Sequence, residues 1–366
     1  MVAQGFRPTG LGLAFNMVMT NHATASRGTG SERRQHQRMN VMKCAVIAGF
    51  AACALAVAAP SLLSAQTNYP TRTVQIIVPF PPGGNTDILT RVMADHFSTA
   101  FKQPFIVVNK PGAGANIGAA ALVASEPDGY TLLMAPPGPQ VINSYLYSTL
   151  PFDPEKSFAP ITMVARFPNV LVVHPSLGVK TIQELIDKAK AEPDKIDYAT
   201  SGVGSTSHLS MALFLALAGV KMNHIPYHGT SESLKDLVAG RVSLTIDNLG
   251  PILPFIQSGQ LLALGVSTVE PASLLPGVPP IGSVVKGYEA SSWNALAAPA
   301  GTPPNVVDKL SVEANTILHM PDVVERFRSI GSEPVGGTPA ELEKFLAEDR
   351  VRWKRAVDVA NLKKLP

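Results

Sequence analysis

Three times in this chain an apolar, strand-like run stops at a glycine-rich loop and a helical pattern begins at once. The first case is Val74 to Val78, then Pro79-Phe80-Pro81-Pro82-Gly83-Gly84, then a helix opened by the cap-type residues Asn85, Thr86 and Asp87. The second is Phe105 to Val108 followed by Gly112-Ala113-Gly114. The third is Ile196 to Thr200 followed by Ser201-Gly202-Val203-Gly204-Ser205-Thr206-Ser207. Strand–loop–helix units in series confine a chain to parallel strands covered by helices. Val74, Ile76 and Val78 on one face, with Ile77 on the other, fit a strand buried on both sides. Pro81-Pro82 extend the first loop, while Gly83-Gly84 permit positive φ and leave no side chain in a ligand's way. Such a loop presents a helix N-terminus, whose free N–H groups and positive dipole end make a seat for an anion.

The pattern continues with a helix to Phe101, a small-residue helix from Gly118 to Ser125 and a strand from Tyr130 to Ala135. Pro136-Pro137-Gly138-Pro139-Gln140 ends that strand, and a loose stretch runs on to Pro160. Ile161 to Val173 reads as extended chain broken at Phe167-Pro168-Asn169. Thr181-Ile182-Gln183-Glu184 is a capping box. The alternation then restarts: helix His208–Ala218, strand Asn223–Tyr227, helix Ser231–Ala239, strand Val242–Ile246 with Asp247 at its end, and strand Gly259–Ser267. After a proline-rich connector and an extended run, Trp293–Ala298, helices are expected over Pro304–Leu318, Pro321–Ile330 and Pro339–Val359. The last follows a second capping box at Thr338 and Glu341. The expected fold is α/β with two lobes, each a mostly parallel sheet flanked by helices. The chain crosses between lobes twice, near 167–173 and 263–293. Residues 66–170 with 288–366 would form one lobe and 171–287 the other.

The first 65 residues read as a leader. Met39 to Lys43 is a short positive segment, Cys44 to Ala59 an alanine-rich apolar core, and Leu63-Ser64-Ala65 a small-residue cleavage pattern, so a signal peptide is expected, cleaved near 65/66. Met39 is then the expected initiator. Residues 1–65 carry six of the 30 Lys and Arg and one of the 27 acids, so the net charge without them moves from +3 to −2. No basic surface for nucleic acid remains. Both cysteines, Cys44 and Cys53, also lie in the leader, which leaves the exported chain without thiol chemistry.

In open parallel sheets ligands sit beyond the carboxyl ends of strands, where the glycine loops and Asp247 fall. Hydroxyls and free amides without a nearby Lys or Arg suit a carboxylate held by neutral donors. These loops carry a resemblance. Val78 to Asp87, Asn109 to Gly118, Glu126 to Leu133, Ser201 to Leu209, Ile225-Pro226-Tyr227 and Ala298 to Pro303 are similar, in order, to the Bug family of extracytoplasmic solute receptors of tripartite tricarboxylate transporters. The similarity runs from about Tyr69 to the C-terminus. It implies a type II periplasmic binding protein that closes on a small carboxylate, needs no cofactor or metal, acts as a monomer and meets membrane permease subunits. Carried over by position, the ligand-binding residues are Pro82, Gly83, Gly84, Asn85, Thr86, Asp87, Gly138, Ser201, Gly204, Ser205, Thr206, His208 and Asp247. Pro136 to Gln140 departs from the small polar residues expected there and leaves the solute open among dicarboxylates, tricarboxylates, acidic amino acids and aromatic acids. Asp87 would meet a ligand amine if the solute is an amino acid.

The rival readings are weaker. Gly112-Ala113-Gly114 followed by Gly118 misses the dinucleotide spacing by one residue, and no acidic ribose partner follows. Ser205 is not in a nucleophile elbow, so an exported nucleotide-binding or hydrolytic enzyme is the alternative rather than the expectation. His208, His224 and His228 lack the accompanying carboxylates of a metal site.

Overall fold

The computed structural model describes residues 68–365; the leader, its signal peptide and Met39 lie outside them. The strands are β1 (Val74–Val78), β2 (Phe105–Asn109), β3 (Thr131–Ala135), β4 (Phe158–Phe167), β5 (Asn169–Val173), β6 (Asp197–Thr200), β7 (Asn223–Pro226), β8 (Leu244–Asn248), β9 (Leu262–Val266), β10 (Ser292–Pro299) and β11 (Glu333–Gly336). The helices are α1 (Asn85–Phe101), α2 (Asn116–Val123), α3 (Asn143–Leu146), α4 (Ile182–Ala191), α5 (Thr206–Ala218), α6 (Thr230–Val238), α7 (Leu249–Gln257), α8 (Pro304–Leu318), α9 (Pro321–Arg328) and α10 (Pro339–Val359).

Two sheets result, ordered β11-β4-β10-β3-β1-β2 and β7-β6-β8-β5-β9. The βαβ segments pair in parallel, β1 with β2 and β3, and β6 with β7 and β8. The strands that enter directly from the other sheet, β5 and β10, run against both their neighbours. No helical crossover carries them back to the starting end, so antiparallel pairing is the geometry left to them. The two-lobed α/β expectation holds, with this reversed strand inside each mostly parallel sheet and a second reversed strand, β11, at the edge of the first.

The sheets exchange chain at Pro168, between β4 and β5, and again between β9 and β10. These crossings run side by side: Phe167 pairs with Ser292, the Asn169 amide donates to Ser267 Oγ at 2.8 Å, and the Ala290 amide to the Ser267 carbonyl at 3.1 Å.

Apolar packing explains the placement of the helices. Leu89, Met93 and Phe97 of α1 are buried in one cluster with Val74, Ile76 and Val78, whereas Ile88 and Val92 are only partly buried. The first turn of the helix, Asn85 to Asp87, is itself buried. C-terminal α10 starts at the expected capping box, Thr338 N donating to Glu341 at 2.7 Å and Glu341 N to Thr338 Oγ1 at 3.2 Å. Its Leu342, Leu346 and Trp353 share a cluster with Met163 and Trp293 of the first sheet and Leu209 and Phe214 of α5. This helix therefore spans both halves. Buried Asp349 fastens it, accepting from Trp293 Nε1 at 2.7 Å and Trp353 Nε1 at 3.0 Å.

Candidate functional site

Between the two sheets lies a narrow cleft. Its walls come from the ends of strands, as expected for sheets of this kind. Phe80, Pro81, Pro136 and Phe167 follow or end β1, β3 and β4; Ser201 follows β6, and Ser292 and Asn294 lie on β10. The first turns of three helices complete it: Asn85 and Thr86 of α1, Thr206 of α5 with its cap Ser205, and Thr230 of α6, together with Asn248, the cap of α7. Four helix N-termini thus open onto one cavity. Their leading N–H groups have no acceptor within the helix, and each terminus carries roughly half a positive charge. Among the described residues no charged side chain lines the cleft. The arrangement is an anion seat built from neutral dipoles.

Of the residues expected at the site, Gly84, Asn85, Thr86, Gly138, Ser201, Ser205 and Thr206 line the cleft. Pro82 and Gly83 are exposed outside it, and Gly204 is buried without lining it. Asp87 is turned away and fully engaged, accepting from Arg91 Nε at 2.9 Å, Asn109 Nδ2 at 2.9 Å and the Gly83 amide at 3.0 Å. Burial pulls its pKa up, but these donors outweigh that and hold it below the usual range. It fastens the first loop to α1. Asp247 sits behind the wall, fully buried, accepting from Thr230 Oγ1 at 2.9 Å and the Asn248 amide at 2.8 Å. Burial raises its pKa to about 6 against those donors and Ser201.

His208 also lies outside the cleft. Its ring stacks on His224 at 4.9 Å, and His224 on Tyr198 at 5.0 Å. His208 Nδ1 accepts from the Gly204 amide at 3.3 Å, so it shapes the third glycine loop from beneath. Among the described residues no cluster of His, Cys, Asp and Glu could hold a metal.

Ser205 lines the cleft, but its hydroxyl donates to the Gly202 carbonyl at 2.6 Å and accepts from His208 N at 3.2 Å. It closes the loop and caps α5. Ser205→Ala should therefore lower stability by about 1 kcal/mol, the usual value of a cap. Calorimetric affinity should fall less than it would for a direct ligand donor. A melting temperature equal to wild type would refute the capping role.

Loops of the two sheets touch at both ends of the cleft. A Cβ built on Gly114 would overlap the Val203 carbonyl oxygen, and one on Gly138 would lie 3.0 Å from Gly114 O and 3.1 Å from Gly204 O. Gly204 packs on Asn143, where a Cβ would stand 2.5 Å from Oδ1. Tyr147 adds a hydroxyl bond to the Val203 carbonyl at 3.3 Å. At the other end a Cβ on Gly229 would come within 2.6 Å of Pro81 Cδ.

Sequence reasoning did not single out Asn248, Ser292, Asn294 or Thr230. Asn294 had a legible signal, an amide in an otherwise apolar extended run. Asn248 and Thr230 had the signal of cap residues after strands.

The sequence from 89 to 362 matches the family model described as the tripartite tricarboxylate transporter family receptor. Protein BugT of Bordetella pertussis is 36% identical over 323 residues, which cover 87% of this chain and 98% of that protein. A Rhodopseudomonas palustris protein solved with adipate superposes with a TM-score of 0.79 at 36% identity, over 81% of this chain and all of that one. MatC from the same organism, solved with malate, superposes at 0.76 with 28% identity, over 79% of this chain and all of that one.

Proposed function

The chain belongs to the tripartite tricarboxylate transporter receptor family, a family of solute receptors rather than enzymes, and on that premise we propose that it captures a small carboxylate by closing two lobes around it. The observation that carries this reading is the convergence of four helix N-termini on a cleft with no charged side chain. Each terminus favours an anion by on the order of 0.3–1 kcal/mol when exposed and more when buried. Neutral donors discriminate against inorganic cations. The structural relatives solved with adipate and malate support a carboxylate solute.

The lobes of this proposal are residues 66–170 with 288–366, and residues 171–287. The hinges are the paired crossings at Pro168 and between Ser267 and Ser292. The ligand contacts are the N-terminal amides of α1 and α5 with Gly84, Asn85, Thr86, Gly138, Ser201 and Thr206. The receptor works in the periplasm after export through its signal peptide, as a monomer, and hands its solute to permease subunits of a tripartite tricarboxylate-type transporter. Closure removes water from the anion and strengthens each amide contact.

Thermal shift of the purified protein against a panel of dicarboxylates, tricarboxylates, acidic amino acids and aromatic acids tests the reading, because a ligand that binds the folded state raises its apparent stability. At least one carboxylate should raise the melting temperature, and its uncharged amide analogue should not. A panel in which only amides or other neutral compounds shift the transition would refute it.

A further inference from the structure

We propose that the carboxylate held here bears a hydroxyl group, and that Asn294 reads it. This rests on the carboxylate reading above and narrows the solute. Asn294 lies on β10, is 0% exposed and lines the cleft, and neither its Nδ2 nor its Oδ1 has a partner among the described residues. Its neighbours Trp293 and Ala295 to Ala298 are buried and apolar. A buried amide with both ends unmet is expensive, and its place in the cleft wall means the cost is relieved when the cleft is filled. Whichever way the amide is turned, it offers one donor group and one acceptor. Asn248 Oδ1 and Asn85 Oδ1, in the same lining, are further unmet acceptors.

A bare carboxylate is acceptor-only. It can take the N–H groups of the helix termini and of Asn294 Nδ2, but it cannot satisfy Oδ1. That oxygen calls for a ligand hydrogen, from a hydroxyl or an ammonium. The electrostatics decide between them. Four helix N-termini repel a cation, and among the described residues no acidic side chain lines the cleft. Asp87 is spent on Arg91, Asn109 and the Gly83 amide, and Asp247 faces Thr230 and the Asn248 amide behind the wall. An ammonium would enter a positive field without a counter-ion. A hydroxyl donates to Oδ1, accepts from Nδ2 and brings no charge.

The test uses two matched series on the whole protein by titration calorimetry: succinate, malate and aspartate; and adipate, 2-hydroxyadipate and 2-aminoadipate. In at least one series the hydroxy acid should bind about tenfold or more tighter than the unsubstituted diacid, the yield of one good buried hydrogen-bond pair, and the amino acid should bind weakest. Asn294→Ala, checked for an unchanged fold by its melting transition, should bring the hydroxy-to-unsubstituted ratio close to one. Asn294→Asp, which supplies the missing counter-charge at the same size, should raise the amino acid relative to the other two. An unsubstituted diacid as tight as the hydroxy acid, an amino acid tightest in wild type, or a hydroxy preference that survives Asn294→Ala would overturn the proposal. So would binding of aromatic acids with neither series bound, which leaves the carboxylate reading intact; binding of no carboxylate at all removes both.

Discussion

Gly114→Ala should lose carboxylate affinity by about 100-fold or more while leaving a folded protein. Gly114 belongs to the loop after β2, and Val203 to the loop after β6, so their contact joins the two halves. The added Cβ would overlap the Val203 carbonyl oxygen and lie 3.2 Å from the Val203 carbonyl carbon and 3.4 Å from Gly204 Cα. All three are backbone atoms, so no rotamer change relieves the overlap; the halves must move apart. Overpacking of this kind costs roughly 3 kcal/mol, and a closed state depopulated by that amount lowers apparent affinity in proportion.

Backbone strain is a separate matter, since Gly114 has φ +60°. Ala113 at 47° and Ala115 at 76° already hold the left-handed conformation on either side, so alanine is tolerated in this loop. Gly219→Ala is the matched control: Gly219 has φ +64° and no heavy atom within 4 Å of its would-be Cβ. Both variants should lose about 1–2 kcal/mol of stability from the left-handed conformation, but only Gly114→Ala should lose affinity. Calorimetry on the two variants decides it. Wild-type affinity in Gly114→Ala would mean that binding does not require this contact.

That same contact marks where sequence reading stopped. Each glycine loop could be placed at a strand end from hydrophobic run, glycine and cap residue, because those signals are local. Which loops face each other depends on the two crossings, which the sequence places only broadly, near 167–173 and 263–293, without saying which loop meets which. α7 went unseen because Pro254 lies inside it and a proline in a helical run argues against a helix. Here burial of Leu249, Ile252 and Leu253 outweighs the lost hydrogen bond. β11 is four residues with a proline, paired only at the sheet edge, too short to register as a period. The acidic residues are a different case. Asp87 and Asp247 sit beside the anion seat in sequence, but their partners, Asn109 and Thr230, come from other elements. A carboxylate's orientation is a tertiary fact.

The second large effect is acid lability. Burial holds His208, with help from its neighbour His224, at a pKa of about 4, and burial holds His224 at about 4 also. Both have 6.5 as their ordinary value. A histidine depressed in the folded state binds fewer protons than its unfolded counterpart between those two values. Its stabilising contribution is complete above pH 6.5 and is lost as pH falls toward 4, about 3 kcal/mol for each ring. Asp247 works in the opposite sense. Its pKa, raised from 3.8 to about 6 by burial, makes the charged form unfavourable above pH 6 and returns about 3 kcal/mol as pH falls toward 3.8. Two losses against one gain leave a net loss of about 3 kcal/mol from these three groups between pH 7 and pH 4.5, measurable by urea unfolding at both values. Asp247→Asn removes the gain and should steepen the loss to roughly 5 kcal/mol. His208→Asn removes one ring while keeping an acceptor for the Gly204 amide, and should lessen the loss by about 2–3 kcal/mol. Stability that is flat over this range in wild type, or equally steep in His208→Asn, would show that the buried imidazoles do not govern it.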